Sequence, residues 1–257
     1  DLAQKLETIN RERQVLMKES SEHARLFVDS QPELKKILIV AHESYQEGVI
    51  GLVAGRLVET FYRPAIVIAK RDKLSKASVR SIKGFNIIEF LRSKSKLFVN
   101  VGGHPMAAGF TVETEKLELL QQTLEEAAID LITEEMLFRV LPIDCELPLP
   151  VITKELYAKI KTLAPFGMAN SEPVFATKSV KISDMRVIGK EGTHLRLQLQ
   201  EGRANFEAIA FGMGELAGEL KIGDKIDVAY SIDENTWNGN TKLQLKVKDL
   251  KILRVEP

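Results

Sequence analysis

The chain has 257 residues, 44% hydrophobic and 28% charged, with 36 Lys and Arg set against 36 Asp and Glu. That is the composition of a folded chain long enough for one large or two ordinary domains. Zero net charge argues against a uniformly basic nucleic-acid binder and against an acidic tail.

Residues 1–29 place Leu2, Leu6, Ile9, Leu16 and Phe27 at three- and four-residue spacings among charges, which predicts a long amphipathic helix with a narrow apolar stripe. The helical pattern begins at once at Asp1, which reads as a piece of a longer polypeptide with an upstream domain for that stripe to meet. From Lys36 the pattern alternates: KKILIVAH as a strand, EGVIGLVAGRLVETF as a helix, PAIVIAK and SKASVRS as strands, GFNIIEFLRS as a short helix, GFTVE as a strand, KLELLQQTLEEAAIDLI as a helix. Near-continuous Ile/Val strands among helices predict an α/β domain with a mixed sheet flanked by helices.

Prolines 142, 148 and 150 mark a linker. Beyond it come a long strand that must bend (VFATKSVKISDMRVIG), THLRLQLQ, NFEAIAF, a short helix in MGELAGELK, and two strands joined by TWNGNT, whose Asn238-Gly239 is a hairpin signal. Five strands with a helix between the third and fourth have the order of an all-β, OB-fold-like barrel; a generic small barrel or split sandwich fits the same pattern. The expected organisation is residues 1–33 as an interdomain helix, 34–135 as the α/β domain, and 136–257 as the barrel domain, with 136–173 its linker and leading helix.

Zero net charge hides a segmental imbalance. Residues 31–110 carry 13 positive and 6 negative charges, and residues 111–150 carry 2 and 10. Nine Lys and Arg fall between Lys70 and Lys96 against Asp72 and Glu89, so a polyanionic partner is expected for the α/β segment. Within it, Ser78 and Arg80 alternate along a strand and share a face. A hydroxyl beside a planar guanidinium makes a phosphate clamp. VGGHPMAAGF, residues 101–110, reads as a glycine turn with His104 and Pro105 at the entrance of a short helix, where free amides and the helix dipole favour an anion. A glycine-rich turn carrying a solvated His fits the same residues. In the barrel, Arg196 and Trp237 are the candidates for gripping and stacking on single strand, with Phe211 and Tyr230 weaker. The four histidines are scattered and have no cysteine partners at metal-ligand spacing. No apolar run approaches the ~18 residues of a membrane span, no secretory signal pattern is present, and the single Cys145 can form no internal disulfide, so a reducing, cytoplasmic setting is expected.

HESYQEGVIGLVAGRLVETFYRPAIVIAK, ASVRSIKGFN and VGGHPMAAG together resemble the DHH-associated domain of the RecJ single-strand-specific exonucleases. LAPFGMANSEPVF, EGTHLRLQL, AIAFGMG and the WNGN…LQLKVKDL hairpin resemble the OB-fold domain that follows it. Tyr45 stands where an aromatic residue is expected before the glycine of EGVIG. The resemblance implies that Ser78, Arg80, Gly102, Gly103 and His104, with Ser81 beside them, hold substrate phosphates for a metal-dependent DHH domain. That domain would carry one or two Mn²⁺ (or Mg²⁺) ions and hydrolyse single-stranded DNA from the 5′ end in repair and recombination. The Asp-His-His motif does not occur in these residues, so no metal ligand and no nuclease activity is expected of this chain alone. Single-stranded DNA is the implied partner, with a single-strand-binding protein or a helicase implied by family only. Two other readings are an oligonucleotide or cyclic-dinucleotide phosphodiesterase and a non-catalytic nucleic-acid-binding module.

Overall fold

The computed structural model describes residues 1–237 and 239–253, with the side chain of Trp237 outside that description. The chain divides into two compact units, Asp1–Val140 and Leu141 onward.

In the first unit, helix α1 (Leu2–Asp29) is followed by strand β1 (Leu38–His42), helix α2 (Ile50–Phe61), strands β2 (Ala65–Ala69) and β3 (Leu74–Arg80), helix α3 (Ile87–Arg92), strands β4 (Asn100–His104) and β5 (Ala107–Glu113), and helix α4 (Leu117–Leu131). The sheet order is β1-β2-β3-β5-β4; β1 and β2 run parallel and every other pair is antiparallel. This is the mixed sheet flanked by helices that the sequence predicts.

Alternation sorts the side chains to two faces. Ile66, Ile68, Ala77, Val79, Ala108, Phe110 and Val112 join α3 and α4 in one core. Leu38, Val40, Ala65, Val67 and Ala69 join α1 and α2 in another. That second core draws on β1 and β2 and takes nothing from β3, β5 or β4, so half of this sheet face carries no apolar cluster. The basic strand β3 lies in this half, where only the first turn of α2 reaches over its Ser78–Arg80 end.

The stripe of α1 read from the sequence is not the one that packs. Leu2, Leu6, Ile9, Leu16 and Phe27 are exposed, and the helix is buried at Ser20, Ala24 and Val28. Small side chains at four-residue spacing let the end of α1 approach α2 closely, which larger leucines would prevent.

The second unit holds a short strand β6 (Cys145–Glu146), helix α5 (Lys154–Lys161) and five long strands: β7 (Phe175–Ile188), β8 (His194–Glu201), β9 (Ala204–Ala210), β10 (Lys225–Trp237) and β11 (Asn240–Ile252). The order β10-β11-β9-β8-β7 closes through a β10–β7 pairing, with β9 and β11 parallel. This is a closed five-stranded OB-like barrel. One half of β7 pairs with β10 and the other with β8, so the strand bends as predicted. Leu195, Leu197, Leu199, Ala208, Ile226, Val228, Ile232 and Leu245 fill the interior. The predicted helix in MGELAGELK is a 3₁₀ turn, Gly214–Gly218. Two glycines within five residues disfavour a longer helix, and a side chain on Gly214 would collide with the Gly192 carbonyl.

Candidate nucleic-acid interface

Directly paired residues of antiparallel strands point to the same face. Arg80 pairs with Ala107, and Ala107 pairs with His104; Ser78 pairs with Gly109, and Gly109 with Gly102; Lys76 pairs with Thr111, and Thr111 with Asn100. These residues form three rungs on the face opposite the Val79, Ala108 and Val101 side chains. Arg80 and Ser78 therefore look across β5 at His104 and Gly102 from a distance of two strand spacings, roughly 10 Å. The strand between them offers only alanine and glycine on the inner two rungs. The result is a trough with polar walls and a floor of backbone and methyl groups.

The wall on β3 is pre-formed. The Arg80 Nη1 donates to Ser78 Oγ at 3.2 Å and to the Val79 carbonyl at 2.9 Å, which aligns hydroxyl and guanidinium. Above them lies the first turn of α2: a side chain on Gly51 would meet Arg80 Nη2 and Ser78 Oγ, both at 3.0 Å. Val49 caps this helix with no side-chain hydrogen bond. The positive end of its dipole thus adjoins the clamp, and an anion there is favoured by both. Sequence reading missed Gly51; the signal was available in EGVIG, a glycine one residue into a helix, where propensity alone would exclude it.

His104 is exposed at the end of β4, and the element around it differs from the expected one. GGHPMAAG is a β-hairpin with Pro105 and Met106 at its turn, and no helix begins there. The turn is anchored by the Ile87 amide donating to the Pro105 carbonyl at 3.1 Å and the Ser81 amide to the Met106 carbonyl at 3.0 Å. The alternation of Ala108, Phe110 and Val112 toward the core makes residues 107–113 a strand. Gly102 is exposed, with open space where a Cβ would stand; at Gly103, φ is 146° and a Cβ would lie 2.5 Å from the Ala107 carbonyl oxygen. Ser81 stands apart from the clamp: it is buried, and its hydroxyl donates to the Phe85 carbonyl at 2.7 Å.

In the barrel, Arg196 lies on the outer face of β8 in a concavity shared with Gln198, Asn205, Glu207, Lys242 and Gln244. Its guanidinium is 3.6 Å from the Glu207 carboxylate. Asp233 is held by Lys246 and Tyr157; burial opposes its charge, but these partners keep its carboxyl below the usual range. Tyr230 is fully buried with its hydroxyl 2.8 Å from Thr177 Oγ1, so this weaker candidate is a core residue that gained its place through a polar partner in the barrel interior. Phe211 is exposed, edge-on to the His194 ring at 5.2 Å. Trp237 closes β10 opposite Asn240, and its side chain lies outside the described residues.

Residues 34–130 match the DHHA1 domain and residues 143–249 match the RecJ OB domain. The chain is thus built of a DHHA1 domain and a RecJ OB domain. It is 34% identical over 98% of its length to the single-stranded-DNA-specific exonuclease RecJ of Bacillus subtilis, and covers 32% of that protein. A crystal structure of RecJ with Mn²⁺ from Thermus thermophilus matches with a TM-score of 0.80 at 26% identity, over 99% of this chain and 36% of that one; the Mg²⁺ complex from the same organism gives 0.78 at 26% identity over 99% and 38%. The chain thus spans about a third of the RecJ proteins it matches. Among the described residues no group of three or more His, Cys, Asp or Glu is placed to hold a metal ion. None of the helices among these residues is long and apolar enough to cross a membrane.

Proposed function

We propose that this chain is the strand-handling part of a RecJ-like, single-stranded-DNA-specific 5′–3′ exonuclease of DNA repair and recombination. The α/β unit grips substrate phosphates through Ser78, Arg80, Gly102, Gly103 and His104. The barrel holds the strand through Arg196 and Trp237. Hydrolysis belongs to a metal-dependent DHH domain that these residues do not include, where a bound Mn²⁺ or Mg²⁺ would supply the Lewis acid; by this reading the chain alone degrades nothing. The setting is cytoplasmic, and a single-strand-binding protein or a helicase is the partner class.

One observation carries the reading: residues from β3, β4 and the start of α2 converge on a trough whose floor has no side chain larger than a methyl on its two inner rungs. Phosphates need convergent donors and close backbone approach, and both are supplied. The barrel favours a long strand over a cyclic dinucleotide, which needs no second binding surface. Binding of a labelled single strand to the chain at rising salt tests the proposal. Affinity should fall steeply with salt; salt-independent binding, or none at low salt, rejects it.

A further inference from the structure

The cations lining the barrel concavity are not equivalent. Lys154 and Lys242 are exposed and make no ion pair among the described residues. Arg196 is only 33% exposed, and its partner Glu207 is 32% exposed. Glu207 is doubly engaged: one carboxylate oxygen faces the Arg196 guanidinium, and the other accepts from the Gln244 amide. It also sits directly opposite Gln198, its β8 partner. Arg196 and Gln244 are two of the donors that a nucleic-acid phosphate or base edge would use on this face, and unlike the two lysines both already hold a carboxylate. A carboxylate and a phosphate present the same kind of acceptor oxygens to a guanidinium.

We infer that Glu207 is a resident competitor: it occupies Arg196 and Gln244 in the absence of substrate and sets the barrel's grip on single strand below what its donors could supply. A part-exposed pair of this kind exchanges partners at small cost, so an arriving phosphate displaces the carboxylate. The displaced charge stays within the concavity and repels the phosphate that replaced it. The outcome is a surface that holds a strand and lets it slide on, which suits an exonuclease that must advance its substrate after each cut. This rests on the reading of the barrel as a strand-holding surface.

The test uses the full 257-residue chain and a labelled oligo-dT strand, with Glu207→Gln, Arg196→Ala and the double variant, each checked for an unchanged melting temperature. Glu207→Gln should tighten binding about threefold to tenfold and steepen the logarithmic salt slope, because the phosphate seated on Arg196 no longer has a carboxylate charge beside it. In the Arg196→Ala background the same substitution should gain nothing. A Glu207→Gln variant that binds no tighter than the unsubstituted chain overturns the inference, as does an equal gain without Arg196. A brace with a purely structural role would move the melting temperature and leave the salt slope alone, which also overturns it. If the unsubstituted chain itself binds no strand at low salt, the proposed function falls and this inference falls with it, a result distinct from binding that Glu207→Gln leaves unchanged.

Discussion

Arg80 and His104 face the same side of one sheet at the same level, each paired with Ala107 on the strand between them. Neither is close to the other in sequence, and neither side chain alone makes a site. Their alignment is a matter of strand register, so it is as rigid as the sheet.

Removing the guanidinium should therefore weaken single-strand binding without disturbing the fold. For Arg80→Ala the expected loss is about 1.5–3 kcal/mol, as for a hydrogen bond to a charged group, with the salt slope reduced by about 0.7. His104→Ala should lose less, because the exposed ring has no comparable fork of donors. Fluorescence anisotropy across a salt series measures both.

The two adjacent glycines of β4 should fail in opposite ways. Gly102→Val keeps the fold, since nothing lies within 4 Å of its Cβ position, but it fills the trough and should lower strand affinity. Gly103→Ala forces a side chain into a positive-φ position against the backbone of Ala107 and Ala108, a strain of about 1–3 kcal/mol, and should lower the melting temperature. Parallel melting and binding curves separate the pair.

Each unit contains one buried tyrosine whose hydroxyl burial pushes up to about 12, Tyr45 in the first and Tyr230 in the second. A folded value above the ordinary 10.0 means that the folded state holds the proton more tightly. Stability is then complete below pH about 10 and falls as pH rises toward about 12. Circular dichroism with tyrosinate absorbance should show both units loosening in that window. Tyr45→Phe and Tyr230→Phe should flatten the loss in their own unit, while Tyr230→Phe leaves strand affinity unchanged.

Helix α1 should tolerate change on the stripe its sequence advertises and resist it on the one it uses. Leu6→Ser, at an exposed site, should shift stability by no more than about 0.5 kcal/mol. Ala24→Leu, at a fully buried site, should cost about 1–3 kcal/mol by overpacking. Denaturant midpoints decide between them.

The elements were legible where periodicity is strong. The β2 run Ala65–Ala69, buried throughout, and the alternation of Leu195, Leu197 and Leu199 each announced a strand. The clamp was half legible: Ser78 and Arg80 share a face by alternation alone, but their alignment with Gly102 and His104 depends on register across β5, which local sequence does not encode. The segment Gly102–Gly109 misled because glycine and proline signal helix entrances and hairpin turns alike. In α1 the spacing of Leu2, Leu6 and Ile9 announced the helix, while the face that packs within this chain, Ser20, Ala24 and Val28, carries too little apolarity to be read from sequence. Glu207 carried no signal of its own, because a glutamate on a half-polar strand looks like any solvated charge until its partners are placed around it.

The floor between Arg80 and His104 is made of Ala107 and Gly109. On the proposed reading of this trough as a phosphate grip, its floor presents no polar side chain to a base edge, so its side chains are indifferent to the letters of the strand. It can recognise only thickness and charge: a lone backbone fits, while a duplex is too wide to settle between walls roughly two strand spacings apart. Selectivity for unpaired strand would then come from what the floor lacks.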